Sequence, residues 1–581
     1  MKSFPQTRHA SPNGTEQGVT SGYSLMERAG YVRPAGAAGV HSLLSLGWKA
    51  HRRICDAIYS AMEDAGVLNV QLPILQTREL WERTDRWSGY LSSKTMFVTT
   101  EHHSGVEFGL APTAEEIVTA HVGAELRSWR ELPLRLHQIG PKFRDELRPR
   151  QGLLRAREFQ MSDAYSYDAS EEEMRATFDL FREIYASIFE RLGLENVLAV
   201  QADSGAIGGS GSAEYMVTSE AGEDTLLVCE RCDYGANAEM ADSRIDLATT
   251  DPAEPAPLRI EPTPGIATVE ALERRFPEVP AARMLKTVIY ADRSADPDEN
   301  LLAICIRGDL AVNEVKLASA LGATLEPASP AEIEQATGAR VGYAGPIDLK
   351  GVARVLFDRS VKGMRNFLCG VNTSDTHALD ANFGRDIPLP SRYVDVHLAQ
   401  EGQGCPECGA PLVERKGIEV GHVFQLQREY TEKLKVTYTT PDGREEVPWM
   451  GCYGIGTTRL LQAIAEVTHD ERGLCWPIAV TPYDVSVVSV GQQDATSAAV
   501  TRAAAQSLRE AGLNVFVDDQ PAGAGAKLKD ADLVGFPARV VVGRRASEGI
   551  VEARGRKEQQ EVEVEVGEVA TAIENLLQGR S

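Results

Sequence analysis

Long apolar runs are missing from this chain of 581 residues. The opening stretch, MKSFPQTRHASPNGTEQG, has no uninterrupted hydrophobic segment. That excludes a signal peptide or membrane anchor there and predicts a cytoplasmic protein that does not engage membranes. Cysteine is sparse too: nine residues in all, too few for the disulfide framework of a secreted scaffold. Four of the nine fall in two CxxC pairs, Cys229/Cys232 and Cys405/Cys408, a spacing that suits reduced thiols or a metal. Positive charge is in deficit, with a formal net charge of −24. That balance ordinarily argues against a nucleic-acid partner, although local basic surfaces decide phosphate contact. What remains, 25% charged and 43% hydrophobic residues, is ordinary globular composition. The length suggests three or four domains.

Lys142 to Arg157 runs against the charge deficit, with six basic residues and two acidic ones. The pattern reads as a strand ending at Phe143-Arg144-Asp145-Glu146, a loop centred on Pro149 to Gly152, and a returning strand from Arg155 to Tyr167. Arginines clustered at such a turn suit phosphate, because the planar guanidinium donates in a fork and keeps its charge. Arg144 and Glu146 are two apart, so on a strand they face one side, a cation beside an acceptor. Phe159 offers a flat surface to a base.

Arg-x-Glu followed by a distant Arg and a Phe on a returning strand resembles motif 2 of the class II aminoacyl-tRNA synthetases. Within that class, FRDELRPR followed by REFQMSDAYS is similar to the bacterial-type prolyl-tRNA synthetases. The resemblance implies an α+β catalytic domain on an antiparallel sheet, an inserted α/β editing domain and a C-terminal α/β anticodon-binding domain. It implies ATP, Mg²⁺, proline and tRNA(Pro) as ligands. Arg144 would hold the α-phosphate and the amino-acid carboxylate, Glu146 the adenine amino group, Phe159 the adenine face, and Arg155 the outer phosphates.

In chain order, a flexible lead (residues 1–22) precedes a catalytic region over 23–245. Apolar residues from His41 to Gly66 keep helical spacing, and VLNVQLPIL reads as a strand. A long helix, a strand and Pro73 resemble class II motif 1, which implies a homodimer; an amphipathic helix on its own core is the plainer reading. Thr113 and Glu115 share a face if their segment is extended, and start a helix if it is not. The resemblance makes them the ligands of the proline amine, with Ala114 where the family usually has His. Asp203 to Tyr215 is glycine-rich but lacks the Lys-Ser/Thr of a phosphate loop, so it reads as a tight loop.

Ala248 to Pro264 reads as a linker, and from Thr268 to Leu389 helical and strand-like segments alternate, giving an inserted domain over 246–400. The strings LKTVIYA, FDRSV and SDTHALDANFGRD resemble the domain that hydrolyses alanine mischarged onto tRNA(Pro), placing Lys286, Asp358 and His377 as candidates. The catalytic region resumes over 401–475. There Glu419 stands where class II enzymes often keep a metal- or ATP-associated acid. Met450 to Arg459 resembles motif 3, with Arg459 on the γ-phosphate and Cys452 lining the proline pocket.

Alternating strands and helices over 476–581 predict a mostly parallel sheet, similar to an anticodon-binding domain. Arginines usual in its loop are missing around Gln520 to Ala526. The two CxxC pairs flank the insertion and are candidate ligands of one structural Zn²⁺; unliganded thiols or a local disulfide fit the spacing equally. Two rival readings stand beside ligation of proline to tRNA: an adenylate-forming relative that charges another acceptor, and a degenerate RNA-binding synthetase fold. The last hundred residues argue against the first. The presence of Arg144, Glu146 and Arg459 argues against the second.

Overall fold

A computed structural model describes residues 21–202, 211–245, 254–296, 300–323, 325–490, 495–518, 520, 522–558 and 561–578. The lead before Ser21 and residues 203–210 of the glycine-rich run lie outside them. The chain forms two compact units, Met1–Ala199 with Ser204–Asp224 and Lys416–Ser581, and Val200–Asp203 with Thr225–Arg415. The second unit is wider than the 246–400 insertion on both sides and takes in both CxxC pairs.

An antiparallel sheet organises the first unit. Gly211–Thr218, Leu412–Gln427, Trp449–Gly456, Glu158–Asp168 and Leu134–Phe143 lie side by side, each antiparallel to the next. The two-residue strand Leu68–Asn69 adds in parallel at the edge. Alternation along the strands sorts their side chains onto two faces. Ala164, Val423, Tyr453 and Ile455 bury against Ile54, Ile58, Phe181, Tyr185 and Ile464 from three helices, Ser45–Asp64, Glu171–Arg191 and Thr457–Val467. Tyr165, Phe424, Met450 and Cys452 bury on the opposite face with Val118 and Val122 of the helix Glu115–Glu125. Phe181 stacks on Tyr453 with ring centroids 3.7 Å apart.

Two local expectations are corrected. VLNVQLPIL is not one strand: it breaks into Leu68–Asn69 and Leu75–Thr77 on either side of Pro73, which has no N–H to give a ladder. The continuous strands of the basic hairpin end at Phe143 and resume at Glu158, with only an isolated bridge between Arg150 and Arg155 beyond them, so Arg144 and Glu146 lie in the loop, just past the last strand residue.

The C-terminal region of this unit is a five-stranded sheet in the order Val515–Asp518, Val485–Ser489, Ala538–Val542, Ile550–Gly555, Val562–Glu565. The first two pairings are parallel and the last two antiparallel, so the sheet is mixed and not mostly parallel. Only the short 3-10 turn Arg544–Glu548 links the third strand to the fourth, and a parallel crossover needs a longer connection. Helices Ala495–Glu510 and Val569–Gln578 cover the sheet through Ala504, Leu508 and Ile573.

In the second unit a mixed sheet runs Arg259–Pro262, Thr376–Ala381, Phe367–Gly370, Met284–Asp292, Leu301–Arg307, Arg354–Phe357, and Leu325–Pro327 pairs off the fourth. Helices Val269–Arg275, Glu314–Leu321 and Pro330–Thr337 match the expected alternation. The expected linker holds the edge strand Arg259–Pro262, which pairs with Thr376–Ala381 and ties Arg259 to Asp380 at 2.9 Å.

Candidate active site

The loop past Phe143 is held in a fixed course. Arg144 N donates to Arg157 O (2.9 Å), and Gly152 turns at φ +65°, where a Cβ would meet the Tyr23 ring at 2.1 Å. Only glycine meets both demands at no cost. Leu153 N donates to Gln462 Oε1 at 2.6 Å. This fastens the loop carrying Arg155 to the helix carrying Arg459, which sits in the first turn after the glycine-rich strand end.

The result is a cavity of about 220 Å³ lined by Arg144, Glu146, Arg155, Glu223, Glu419 and Arg459, among others. Arg155 pairs with Glu146 (2.7 Å), and Arg459 pairs with the Glu419 carboxylate and donates to its carbonyl (3.1 Å). Arg144 differs. Its guanidinium lies 5.2 Å from the centroid of the Phe159 ring, and among the described residues no carboxylate pairs with it. A cation over an aromatic face with no anionic partner is a site for a ligand's negative charge. Glu146 and Arg144 therefore share one space as expected, although loop geometry and not strand alternation brings them together.

Glu419 is flanked by His422 (Nδ1 to Oε1, 3.3 Å), which also approaches Glu214 (3.6 Å). Burial works against the Glu419 charge, but Arg459 and His422 hold its pKa well below the usual carboxylate range. Ligand atoms of Glu214, Glu419 and His422 lie within 4.8 Å of one another. This oxygen-rich set fits a hard divalent cation such as Mg²⁺.

Thr113, Glu115 and Cys452 do converge. Glu115 opens the helix Glu115–Glu125, its neighbour Ala114 makes no capping bond, and Cys452 Sγ donates to Glu115 Oε1 at 3.2 Å. Phe143 N donates to Ala111 O (3.3 Å), so this segment runs beside the strand end that delivers Arg144. Glu115 is not free, however. Arg86 reaches Glu116 (2.8 Å), Glu115 (3.4 Å) and, through Nη2, Tyr90 (2.7 Å) and Thr113 (3.4 Å).

The Arg86 guanidinium lies 5.0–5.3 Å from the rings of Trp81, Tyr90 and Tyr430. Burial opposes the charge of Glu115, yet Arg86 and the bond to Thr113 hold its pKa low. Burial raises that of Glu116, Arg86 opposing it and Glu115 adding to it. Burial keeps Cys452 a protonated thiol, consistent with its role as donor.

Sequence reading missed Arg86, Glu116 and Glu223. It also missed a buried group in the hairpin: Asp163 accepts from Lys142 (2.7 Å), Gln138 (2.8 Å) and Tyr165 (2.9 Å). The only available signals were an arginine inside the aromatic run LWERTDRW and polar residues at strand positions that should face inward.

In the second unit, Lys286 and His377 line a cavity of about 430 Å³ together with Thr268, Gly308, Ala328 and Gly370. Burial lowers the Lys286 pKa, Asp309 and Glu270 opposing. His377 is buried with both nitrogens engaged, Nε2 with Gly342 O (3.2 Å) and Nδ1 with Thr263 Oγ1 (2.7 Å). A carbonyl only accepts, so Nε2 carries the proton and Nδ1 accepts from the hydroxyl. His377 thus forms part of the wall. Asp358 is not among the lining residues: its carboxylate accepts from Ser360 N and Val396 N, both at 2.8 Å, as the cap of a 3-10 turn. The four CxxC sulfurs lie together.

Residues 98–468 match the model of the tRNA synthetase class II core domain (G, H, P, S and T), and residues 484–576 that of the anticodon-binding domain. The chain is 40% identical to the proline–tRNA ligase of Thermotoga maritima over 566 residues, covering 97% of this chain and 95% of the relative. It is 40% identical to that of Geobacter sulfurreducens over 576 residues, covering 99% and 97%. Among solved structures it is similar to the prolyl-tRNA synthetase of Giardia lamblia in complex with prolyl-adenylate (TM-score 0.58, 14% identity, 96% of this chain and 78% of that one). It is also similar to that of Cryptosporidium parvum complexed with halofuginone and AMPPNP (TM-score 0.57, 13% identity, 96% and 77%).

Proposed function

Given that the chain belongs to the proline–tRNA ligases of the class II synthetases, we propose that it activates proline with ATP and transfers it to tRNA(Pro). In the first step a proline carboxylate oxygen attacks the α-phosphorus, the bond to the β-phosphate bridging oxygen breaks, and pyrophosphate leaves. In the second the terminal ribose hydroxyl attacks the acyl carbon and AMP leaves. Neither step needs a covalent nucleophile from the protein. Its contribution is positioning and charge stabilisation.

The observation that carries this reading is Arg144, a half-buried guanidinium over Phe159 with no carboxylate paired to it among the described residues, lining a cavity together with Arg155 and Arg459. Arg144 takes the reacting phosphate, Phe159 the adenine, and Glu146 the adenine amino group. Arg155 and Arg459 take the outer phosphates. Glu419, with Glu214 beside it, would hold Mg²⁺, which shields charge on the polyphosphate. Glu115 and Thr113 receive the proline amine, and Cys452 closes the pocket floor.

Amino-acid-dependent ATP–pyrophosphate exchange across the standard amino acids tests the assignment. Proline alone should support exchange, and Arg144→Ala should cost about 3 kcal/mol or more of transition-state stabilisation, the scale of losing an oxyanion donor. Near-normal exchange by that variant defeats the site.

The cavity around Lys286 hydrolyses Ala-tRNA(Pro). Two chains assemble as a homodimer, a state sedimentation equilibrium would read directly. The enzyme works in the cytoplasm.

A further inference from the structure

The four cysteines of the CxxC pairs play no part in adenylate chemistry, and the fold nonetheless gathers them. Cys229 Sγ lies 3.5 Å from Cys408 Sγ, Cys232 Sγ lies 3.6 Å from Cys405 Sγ, and all four sulfurs are within 4.8 Å of one another. The short separations run between the pairs, so neither pair closes on itself. They also exceed the roughly 2.05 Å of a disulfide. A tetrahedral ion with Zn–S bonds of about 2.3 Å implies sulfur–sulfur edges of about 3.8 Å, and the cluster has that size. An iron–sulfur cage would hold the sulfurs farther apart.

Each pair sits on a turn shaped like a metal knuckle. In the first, Arg231 N donates to Cys229 Sγ at 3.4 Å. In the second, Cys405 N donates to Ala410 O (2.7 Å), Gly409 N donates to Cys405 O (2.9 Å), and Gly409 adopts φ +78°. Arg244 donates to Pro406 O (2.8 Å) and Glu407 O (2.8 Å), placing a cation on the second turn. A divalent ion with four thiolates is doubly negative, and Arg244 offsets part of that charge. Leu227, Ala236, Ala241, Ala399 and Leu412 wrap the cluster in a small apolar shell. So few small side chains form a poor core by themselves, which is where structural metals are used.

We propose that Cys229, Cys232, Cys405 and Cys408 bind one Zn²⁺ in a closed tetrahedral site. The main segment of the second unit runs from Thr225 to Arg415, each end within a few residues of one knuckle. The ion therefore staples the two ends of that segment to each other, closing a loop of nearly its whole length, where a cross-link removes the most chain entropy. With four protein ligands the ion has no open position for water, so its role is structural.

The test uses the full chain, purified without chelators and analysed by plasma mass spectrometry. About one zinc per chain should survive dialysis against EDTA and be released by an organomercurial, and Cys405→Ser/Cys408→Ser should bring the content near zero. Should the double variant fail to fold, Cys408→Ser alone changes only the exposed ligand. Cobalt exchange into the unaltered protein should then give the visible bands of a tetrahedral thiolate site, weakened in the single variant. Metal-free protein with four readily alkylated thiols overturns the proposal. So does iron in place of zinc, or zinc retained by the double variant. Proline-dependent exchange, measured in parallel, reports separately on the synthetic site.

Discussion

Arg86 is the residue whose loss should be felt most widely in the synthetic unit. Its side chain is 11% exposed, and those of its partners Glu115 and Glu116 are 2% and 0% exposed. Arg86→Met keeps most of the volume and removes the charge, leaving two adjacent carboxylates buried with no cation in contact. Breaking a buried pair by removing one partner costs about 3–5 kcal/mol. The three aromatic faces around the guanidinium put this case in the upper part of that range.

One of the two carboxylates should then take up a proton near neutral pH. If Glu115 shares that proton, its hold on a substrate ammonium weakens and KM for proline rises about tenfold, roughly 1.4 kcal/mol, with a smaller change in kcat. Glu116→Gln removes the excess charge without reshaping the site. Arg86→Met/Glu116→Gln should therefore recover about half of the lost stability, a coupling that a double-mutant cycle isolates. Urea unfolding and proline-dependent exchange measure the two effects. An Arg86→Met protein within about 1 kcal/mol of the parent, with unchanged KM, would refute the assignment of Arg86 as the positioning residue of the amine pocket.

Asp163→Ala should destabilise the first unit by about 3–5 kcal/mol, because it strands Lys142 without a partner, and Lys142→Met/Asp163→Leu should cost less than the single change; urea midpoints of the two variants decide it. Burial lowers the pKa of His51 and of His137 to about 4. Both rings stay neutral in the fold while the unfolded chain protonates near 6.5. The contribution of each, about 3 kcal/mol, should be complete above pH 6.5 and decline as pH falls toward 4. His137→Gln should flatten that slope in unfolding curves from pH 7 to 4, and an unaltered slope would count against it. Lys286→Ala should lower Ala-tRNA(Pro) hydrolysis at least about tenfold while proline activation stays intact; equal hydrolysis by both proteins would remove Lys286 from that site.

Repetition along the chain made the frame readable. The helices of the second unit were readable as an alternation because caps such as Thr268, Asn313 and Ser329 stand where periodicity begins. The strands around Val485, Val515 and Ala538 were equally plain in their β-branched runs. Ile550–Gly555 and Val562–Glu565 carry a weaker signal, since charged residues alternate with few β-branched ones, although Val551 and Ala553 are buried in the core.

In the site, Arg144, Glu146 and Arg459 were found through a motif. Arg86 was not, because its partners lie 29 and 30 residues away and no local pattern ties them. Asp358 shows the opposite failure. A family string put it in a pocket, whereas its short carboxylate is used by backbone N–H groups, Ser360 of its own turn and Val396 of a distant segment.

Arg155 and Arg459 each hold a carboxylate, Glu146 and Glu419. If phosphates bind there as proposed, each would be a change of partner, one ion pair broken for each one made. Dissolved salt weakens both sides of that exchange, so its effect largely cancels. Of the three arginines, only Arg144 gains a net contact with negative charge. The ionic-strength dependence of ATP affinity should therefore report close to one contact where counting guanidiniums would give three.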